Sequence, residues 1–114
     1  ILLSTPIFFN GVSAQLKAMI DRCQAIWGSK FKAKDPIIDR NKQRHGFLLA
    51  AGGAPEYDGQ FVAAQKVVEM FFRVTNTDWQ GEIKIANSDE VPINERNDIL
   101  EEIHKEGTQL VEQL

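Results

Sequence analysis

The sequence predicts an α/β domain built on a parallel sheet, with elements in the order β-α-β-α-β-α. Three observations predict it. Ile1-Leu2-Leu3-Ser4 and Gly46-Phe47-Leu48-Leu49-Ala50-Ala51 are continuous apolar runs, as strands covered on both faces are. A third run, Trp79 to Ala86, alternates Ile83 and Ile85 with Glu82 and Lys84, the period-two mark of a half-exposed strand at a sheet edge. After each run apolar residues recur at helical spacing, and strands that alternate with helices pair in parallel through right-handed crossovers.

The first strand ends in Thr5-Pro6. Pro6 has no N–H to give and presses Thr5 towards an extended backbone, so pairing is expected to stop there. A strand apolar on both faces also asks for neighbours on both edges and helices on both sides, so the chain is expected to be the later part of a larger domain, or one whose partner covers that edge. Asn10-Gly11 is turn chemistry that tolerates positive φ, and Ser13 is a natural N-cap.

The helix from Ala14 to Trp27 places Leu16, Met19, Ile20, Cys23, Ile26 and Trp27 on one stripe, with Lys17 and Asp21 paired four apart on the outside. Gly28 is expected to close it. Gly28 to His45 is a polar connector carrying Lys30, Lys32, Lys34, Arg40, Lys42 and Arg44 against Asp35 and Asp39. Its plain interpretation is a solvated loop; its sharper one is that a few of these cations meet a nucleotide or flavin phosphate.

The second strand ends in Gly52-Gly53 and the loop Ala54-Pro55-Glu56-Tyr57-Asp58-Gly59. A helix from Gln60 to Arg73 then shows Phe61, Ala64, Val67, Val68, Phe71 and Phe72 on one face. Thr75 to Asp78 reads as a turn before the third strand. The last helix, from about Asn94 to Leu114, presents Ile99, Ile103, Leu110 and Leu114, with Gly107 weakening it by ~1 kcal/mol relative to Ala.

Composition narrows the function. The 114 residues are 43% hydrophobic and 25% charged, ordinary for one soluble domain. A net charge of -3 argues against a nucleic-acid partner. No apolar run approaches the ~20 residues of a membrane span, so no membrane association is expected. A single cysteine fits a reducing compartment, and the expected location is the cytoplasm. Cys23, His45 and His104 have no metal-ligand spacing, so no metal is expected. Gly-x-Ser-x-Gly and Gly-x-Gly-x-x-Gly are both absent, which removes the signals for a nucleophile elbow and a dinucleotide fingerprint.

What remains is a pair of loops at the carboxyl ends of successive parallel strands, where open α/β sheets hold ligands. Phe8 and Phe9 in the first suit core or a flat aromatic ligand. Gly52 and Gly53 in the second suit a turn, or a backbone that a planar heterocycle approaches closely.

The segment from Ser4 to Arg22, Ser-Thr-Pro-Ile-Phe-Phe-Asn-Gly-Val-Ser-Ala-Gln-Leu-Lys-Ala-Met-Ile-Asp-Arg, resembles the stretch after the third strand of flavodoxin-like NADPH-dependent FMN reductases, which iron–sulfur flavoproteins share. That pattern is Ser-Pro-Ile/Val-Tyr-Phe/Trp, a small turn, then Ser-Ala-x-Leu/Met-Lys with an Asp-Arg pair. Gly46 to Gln60 is similar to the family's fourth strand and glycine-rich loop. The resemblance implies a flavodoxin-like three-layer α/β/α fold, here its later β-α-β-α-β-α portion, with the last strand at an edge.

It further implies an FMN-dependent oxidoreductase that passes electrons from NAD(P)H to a small-molecule redox partner, and a homo-oligomer. Thr5, Pro6, Phe8, Phe9, Asn10 and Gly11 would line one side of the isoalloxazine ring, Gly52 and Gly53 the other, with Glu56 and Tyr57 at the rim. No side chain is assigned acid or base work. Phe8 stands where the family often has Tyr. The family's phosphate loop follows its first strand and has no counterpart among these residues, so these residues alone are expected to bind FMN weakly or not at all. A non-catalytic FMN carrier, or a cofactor-free interaction module, are the alternatives.

Overall fold

A computed structural model describes residues 1–114. Its elements are β1 (Leu2–Pro6), α1 (Ala14–Arg22), α2 (Gln24–Trp27), a π-helical turn (Gly28–Lys32), β2 (Arg44–Ala51), α3 (Val62–Val74), β3 (Thr77–Ile85), a 3₁₀ turn (Ile93–Glu95) and α4 (Asn97–Glu112). The three strands form one parallel sheet in the order β1-β2-β3, so β3 lies at an edge as its alternation indicates. The architecture is that of a partial flavodoxin-like α/β fold.

Register explains the layers. Leu3 pairs with Leu48 and Thr5 with Ala50, which sets those four on one face. Leu3, Leu48 and Ala50 join Phe61, Val68, Phe71 and Phe72 in the core, with Leu16, Ile20 and Cys23 of the first helical segment packed against it. Leu2, Phe47, Leu49 and Ile83 face the other way, towards Ile103 and Leu110 of α4 across a small apolar cavity of about 120 Å³. Phe47 and Ile83 are buried, while no residue of α4 is. The core therefore sits almost wholly between the sheet and α1–α3.

Several expectations move. Helix does not end at Gly28, which keeps φ -61° and ψ -41°. The axis instead breaks at Cys23, where ψ is 0°, and the chain goes on helically to Lys32. Within the segment Ser29 Oγ donates to the Ile26 carbonyl at 2.8 Å, and from outside α3 holds it, its Arg73 and Val74 carbonyls accepting from Lys30 Nζ at 3.2 and 3.3 Å. Those are the open carbonyls at the end of α3, where a cation is favoured.

Pairing does not stop before Pro6. Pro6 lies opposite Ala51, and the Ile7 N–H continues the ladder to the Ala51 carbonyl at 2.8 Å. β1 is paired on one edge only and Leu2 is 59% exposed, so the layer of neighbours expected around it is not part of this structure.

β2 and β3 each start two residues early, at Arg44 and Thr77. The Arg44 N–H donates to the Asn76 carbonyl at 3.0 Å and its guanidinium to the Thr75 carbonyl at 2.9 Å. Thr75 and Thr77 hydroxyls are bonded to each other at 2.8 Å, and Asn76 takes φ 53°, which compresses the expected turn. α3 begins at Val62, leaving Gln60 outside the helix yet only 2% exposed. On the two other helices the apolar stripes are narrower than drawn: Met19 is 41% and Leu114 84% exposed.

Candidate functional site

The loop after β1 is a tight hairpin. The Phe8 N–H donates to the Gly11 carbonyl at 3.1 Å and the Gly11 N–H to the Phe8 carbonyl at 3.0 Å. The two residues between them carry positive φ, Phe9 at 48° and Asn10 at 66°, so this is a turn of the I′ kind. The positive φ expected of Asn10-Gly11 thus falls one residue earlier, because the reciprocal bonds close between Phe8 and Gly11. Asn accepts that conformation; a phenylalanine does so at a cost of ~1–3 kcal/mol.

Nothing packs on Phe9 to repay that cost. Its side chain is fully exposed, and Phe8 is 62% exposed. The turn is set by what lies below it. Thr5 is buried, its hydroxyl donating to the Pro6 carbonyl at 2.8 Å and accepting the Ser13 N–H at 3.1 Å. Ser13 Oγ then caps α1 by accepting the Leu16 N–H at 3.2 Å. Thr5 and Ser13 clamp both ends of the loop, and Pro6, Phe8, Phe9, Asn10 and Gly11 make its exposed or half-exposed surface.

The loop after β2 comes up beside it. Tyr57 Oη donates to Asn10 Oδ1, which ties the two loops together across 47 positions of chain. Glu56 and Tyr57 are exposed. Gly52 is buried, and a Cβ there would lie 2.7 Å from Gln60 Nε2; at Gly53 it would lie 2.4 Å from an Asp89 carboxylate oxygen. Gly52 is therefore required by the buried Gln60 side chain, whereas the exposed Asp89 carboxylate beside Gly53 is free to move aside. The N–H groups of Phe9, Asn10, Gly53 and Ala54 donate to no other group of the protein.

A third loop, after β3, completes this end of the sheet. Asn87 has φ 59°; its N–H donates to the Ala54 carbonyl at 2.7 Å, and its carbonyl accepts from Arg96 at 2.9 Å. Asn87, Lys84, Arg96, Glu56, Tyr57 and Gln60 line a cleft of about 680 Å³ between the second and third loops. The sequence carried a usable signal for these residues, since the same rule that picked out the first two carboxyl-end loops applies to the third.

The basic connector lies at the opposite end of the strands. Lys30 and Arg44 are spent on the carbonyls named above, and Arg40 donates to the Lys34 carbonyl at 3.1 Å. A phosphate shared with the aromatic loops is out of reach of that segment. Cys23 is half-buried and its Sγ–H points at the Met19 carbonyl, 3.6 Å away. An iron–sulfur cluster takes about four ligands, so this chain's own residues do not fit one.

Aromatic rings and free N–H donors around two joined loops do fit a planar, acceptor-rich heterocycle. Over 71 residues the chain is 32% identical to an iron–sulfur flavoprotein of Archaeoglobus fulgidus and 34% identical to one of Methanocaldococcus jannaschii. Each match takes in 62% of this chain and 32% of the relative, so the chain covers about a third of the length of the curated relatives it matches. No family model matches, and neither does any solved structure at a significant level. No helix is long and apolar enough to cross a membrane. Over those 71 residues, the chain is similar in sequence to iron–sulfur flavoproteins.

Proposed function

We propose that this chain forms the ring-binding part of an FMN-dependent oxidoreductase that takes electrons from NAD(P)H and passes them to a small acceptor. The observation that carries the proposal is Phe9, held at φ 48° with its ring fully in solvent. Backbone strain of that kind persists where the surroundings impose it, and it concentrates at ligand sites. Its supports are the Thr5–Ser13 clamp and the Tyr57–Asn10 tie, and the flavoprotein names of the relatives favour a flavin as the ligand.

In this reading Phe8 and Phe9 meet the ring on one side and the Gly52-Gly53 backbone on the other. The N–H groups of Phe9, Asn10, Gly53 and Ala54 donate to ring acceptors, which orients the ring and tunes its electronics. Thr5 and Pro6 hold the first loop in place from beneath. Glu56 and Tyr57 stand at the entrance for the nicotinamide or the acceptor. The bound flavin supplies the redox chemistry, and no side chain has to move a proton. Assembly into a homo-oligomer and a cytoplasmic location belong to the same proposal.

The test is to titrate the purified full-length protein with FMN and then follow NADH and NADPH oxidation with an added acceptor. Flavin uptake with turnover is the expected result. Uptake without turnover makes the protein an electron carrier, and no uptake of flavin overturns the proposal.

A further inference from the structure

The carbonyls of Gly52, Gly53 and Ala54 all turn to the third carboxyl-end loop. The Gly52 carbonyl accepts both the N–H and the hydroxyl of Ser88, each at 3.1 Å. The Gly53 carbonyl accepts the Asp89 N–H at 3.2 Å, and the Ala54 carbonyl the Asn87 N–H at 2.7 Å. Three successive N–H groups of one loop thus occupy three successive carbonyls of the other. A trans peptide points its N–H opposite to its C=O, and this chain has no cis bond. The Gly53 and Ala54 N–H groups therefore point away from the third loop, and neither has an acceptor in the protein. Gly53 is half-buried and Ala54 exposed, so that side is open to a ligand. This strip of backbone only donates.

The third loop is itself held. Asn87 takes φ 59°, a left-handed conformation that its short polar side chain tolerates. Its carbonyl accepts the Val91 N–H at 3.0 Å and the Arg96 guanidinium at 2.9 Å. Arg96 stands at the entry to α4 and makes no ion pair. Its bond ties the start of that helix, through Asn87, to the Ala54 carbonyl.

We propose that the third loop braces the backbone of residues 52–54 as a donor-only wall, with Ser88 and Arg96 as positioning residues for the flavin ring. The inference rests on the flavin reading of the first two loops. The edge of an isoalloxazine ring sets a nitrogen acceptor beside a carbonyl oxygen, and two successive N–H groups match that pair. Turning either peptide over, to offer the ring a carbonyl instead, would break the bonds to Ser88 or Asp89. Donors fixed before the ligand arrives lose little freedom on binding. They also reject a ring that lacks the matching acceptor, because an N–H is then left unpaired.

The experiment compares FMN with its 5-deaza and 1-deaza analogues, in which a C–H replaces one ring nitrogen, by calorimetric titration of the full-length protein. One of the two analogues is expected to bind about tenfold more weakly than FMN. Ser88→Ala and Arg96→Gln should each reduce that ratio, to about threefold. Arg96→Lys keeps a cationic donor for the Asn87 carbonyl and should restore it. In the flavin-free protein, amide exchange should be slow at Asn87, Ser88 and Asp89 and fast at Gly53 and Ala54. No uptake of any of the three ligands would overturn the flavin reading and this inference with it. Equal affinity for all three, a ratio unchanged in either variant, or fast exchange at Asn87, Ser88 and Asp89 would overturn the brace alone and leave the flavin reading standing.

Discussion

The two ends of this sheet are built on opposite terms. At the amino ends of β2 and β3 a run of cations meets a set of open carbonyls, and Lys30, Arg40 and Arg44 each find backbone oxygens to bond. At the carboxyl ends a phenylalanine is strained and bare, several N–H groups have no acceptor, and two buried side-chain oxygens have no donor. The basic end is largely closed on the fold, with the buried His45 Nδ1 left unpartnered. The aromatic end leaves its chemistry open, and open chemistry on a rigid sheet is what a ligand site requires.

That contrast can be broken by substitution. Adding one methyl group at each end should separate them most. At Gly46, the amino end of β2, a Cβ would lie 2.5 Å from the buried Phe72 ring and 2.6 Å from Thr77 Cγ2. Gly46→Ala is expected to cost about 3 kcal/mol in urea unfolding, from overpacking that nothing can relieve. Gly53→Ala meets an exposed Asp89 carboxylate that can swing away, and should cost under ~1 kcal/mol. Equal costs would remove the distinction between a packed end and an open one.

Lys30→Met comes next. It removes the cation from the Arg73 and Val74 carbonyls and from Asn76 Oδ1, with an expected loss of about 2 kcal/mol and faster hydrogen exchange in the last turn of α3. A neutral result would mean that the connector is only solvated. Phe9→Gly should act in the opposite direction, gaining ~1 kcal/mol by relieving a left-handed phenylalanine. If it destabilises instead, Phe9 is a structural residue and the open end is less open than drawn.

The smallest effect is expected away from both ends. Gly107 sits mid-helix in α4, where an added Cβ meets nothing within 4 Å and the cavity over Phe47 and Ile83 has room for it. Gly107→Ala should gain ~0.5–1 kcal/mol from helix propensity.

Local chemistry made much of this legible. The three strands, their parallel order and the edge position of β3 follow from apolar runs and from Ile83 and Ile85 alternating with charge. Ser13 as N-cap and the Lys17–Asp21 pair, at 2.7 Å, follow from spacing alone. What spacing does not carry is which distant group will arrive. Gly28 looks like a helix stop until Lys30 is seen anchored to the end of α3, 43 positions away. The turn at Asn10-Gly11 shifts to Phe9-Asn10 because the strain is set by closure between Phe8 and Gly11. Gln60, Lys84, Asn87 and Arg96 lie before α3, in β3, after β3 and before α4, and only the third carboxyl-end loop brings them to one cleft.

The most direct test of the aromatic end is a fluorescence titration of FMN and of lumiflavin, which has the ring without the phosphate, against the protein and its Phe9→Gly variant. The account predicts saturable quenching of both flavins by the unaltered protein, with weak and closely similar midpoints, because the residues described here meet only the ring. It predicts that Phe9→Gly, though more stable, loses most of that quenching for both. Quenching that is absent from the start, or unchanged in the variant, would contradict the assignment of the Phe9 loop to a flavin.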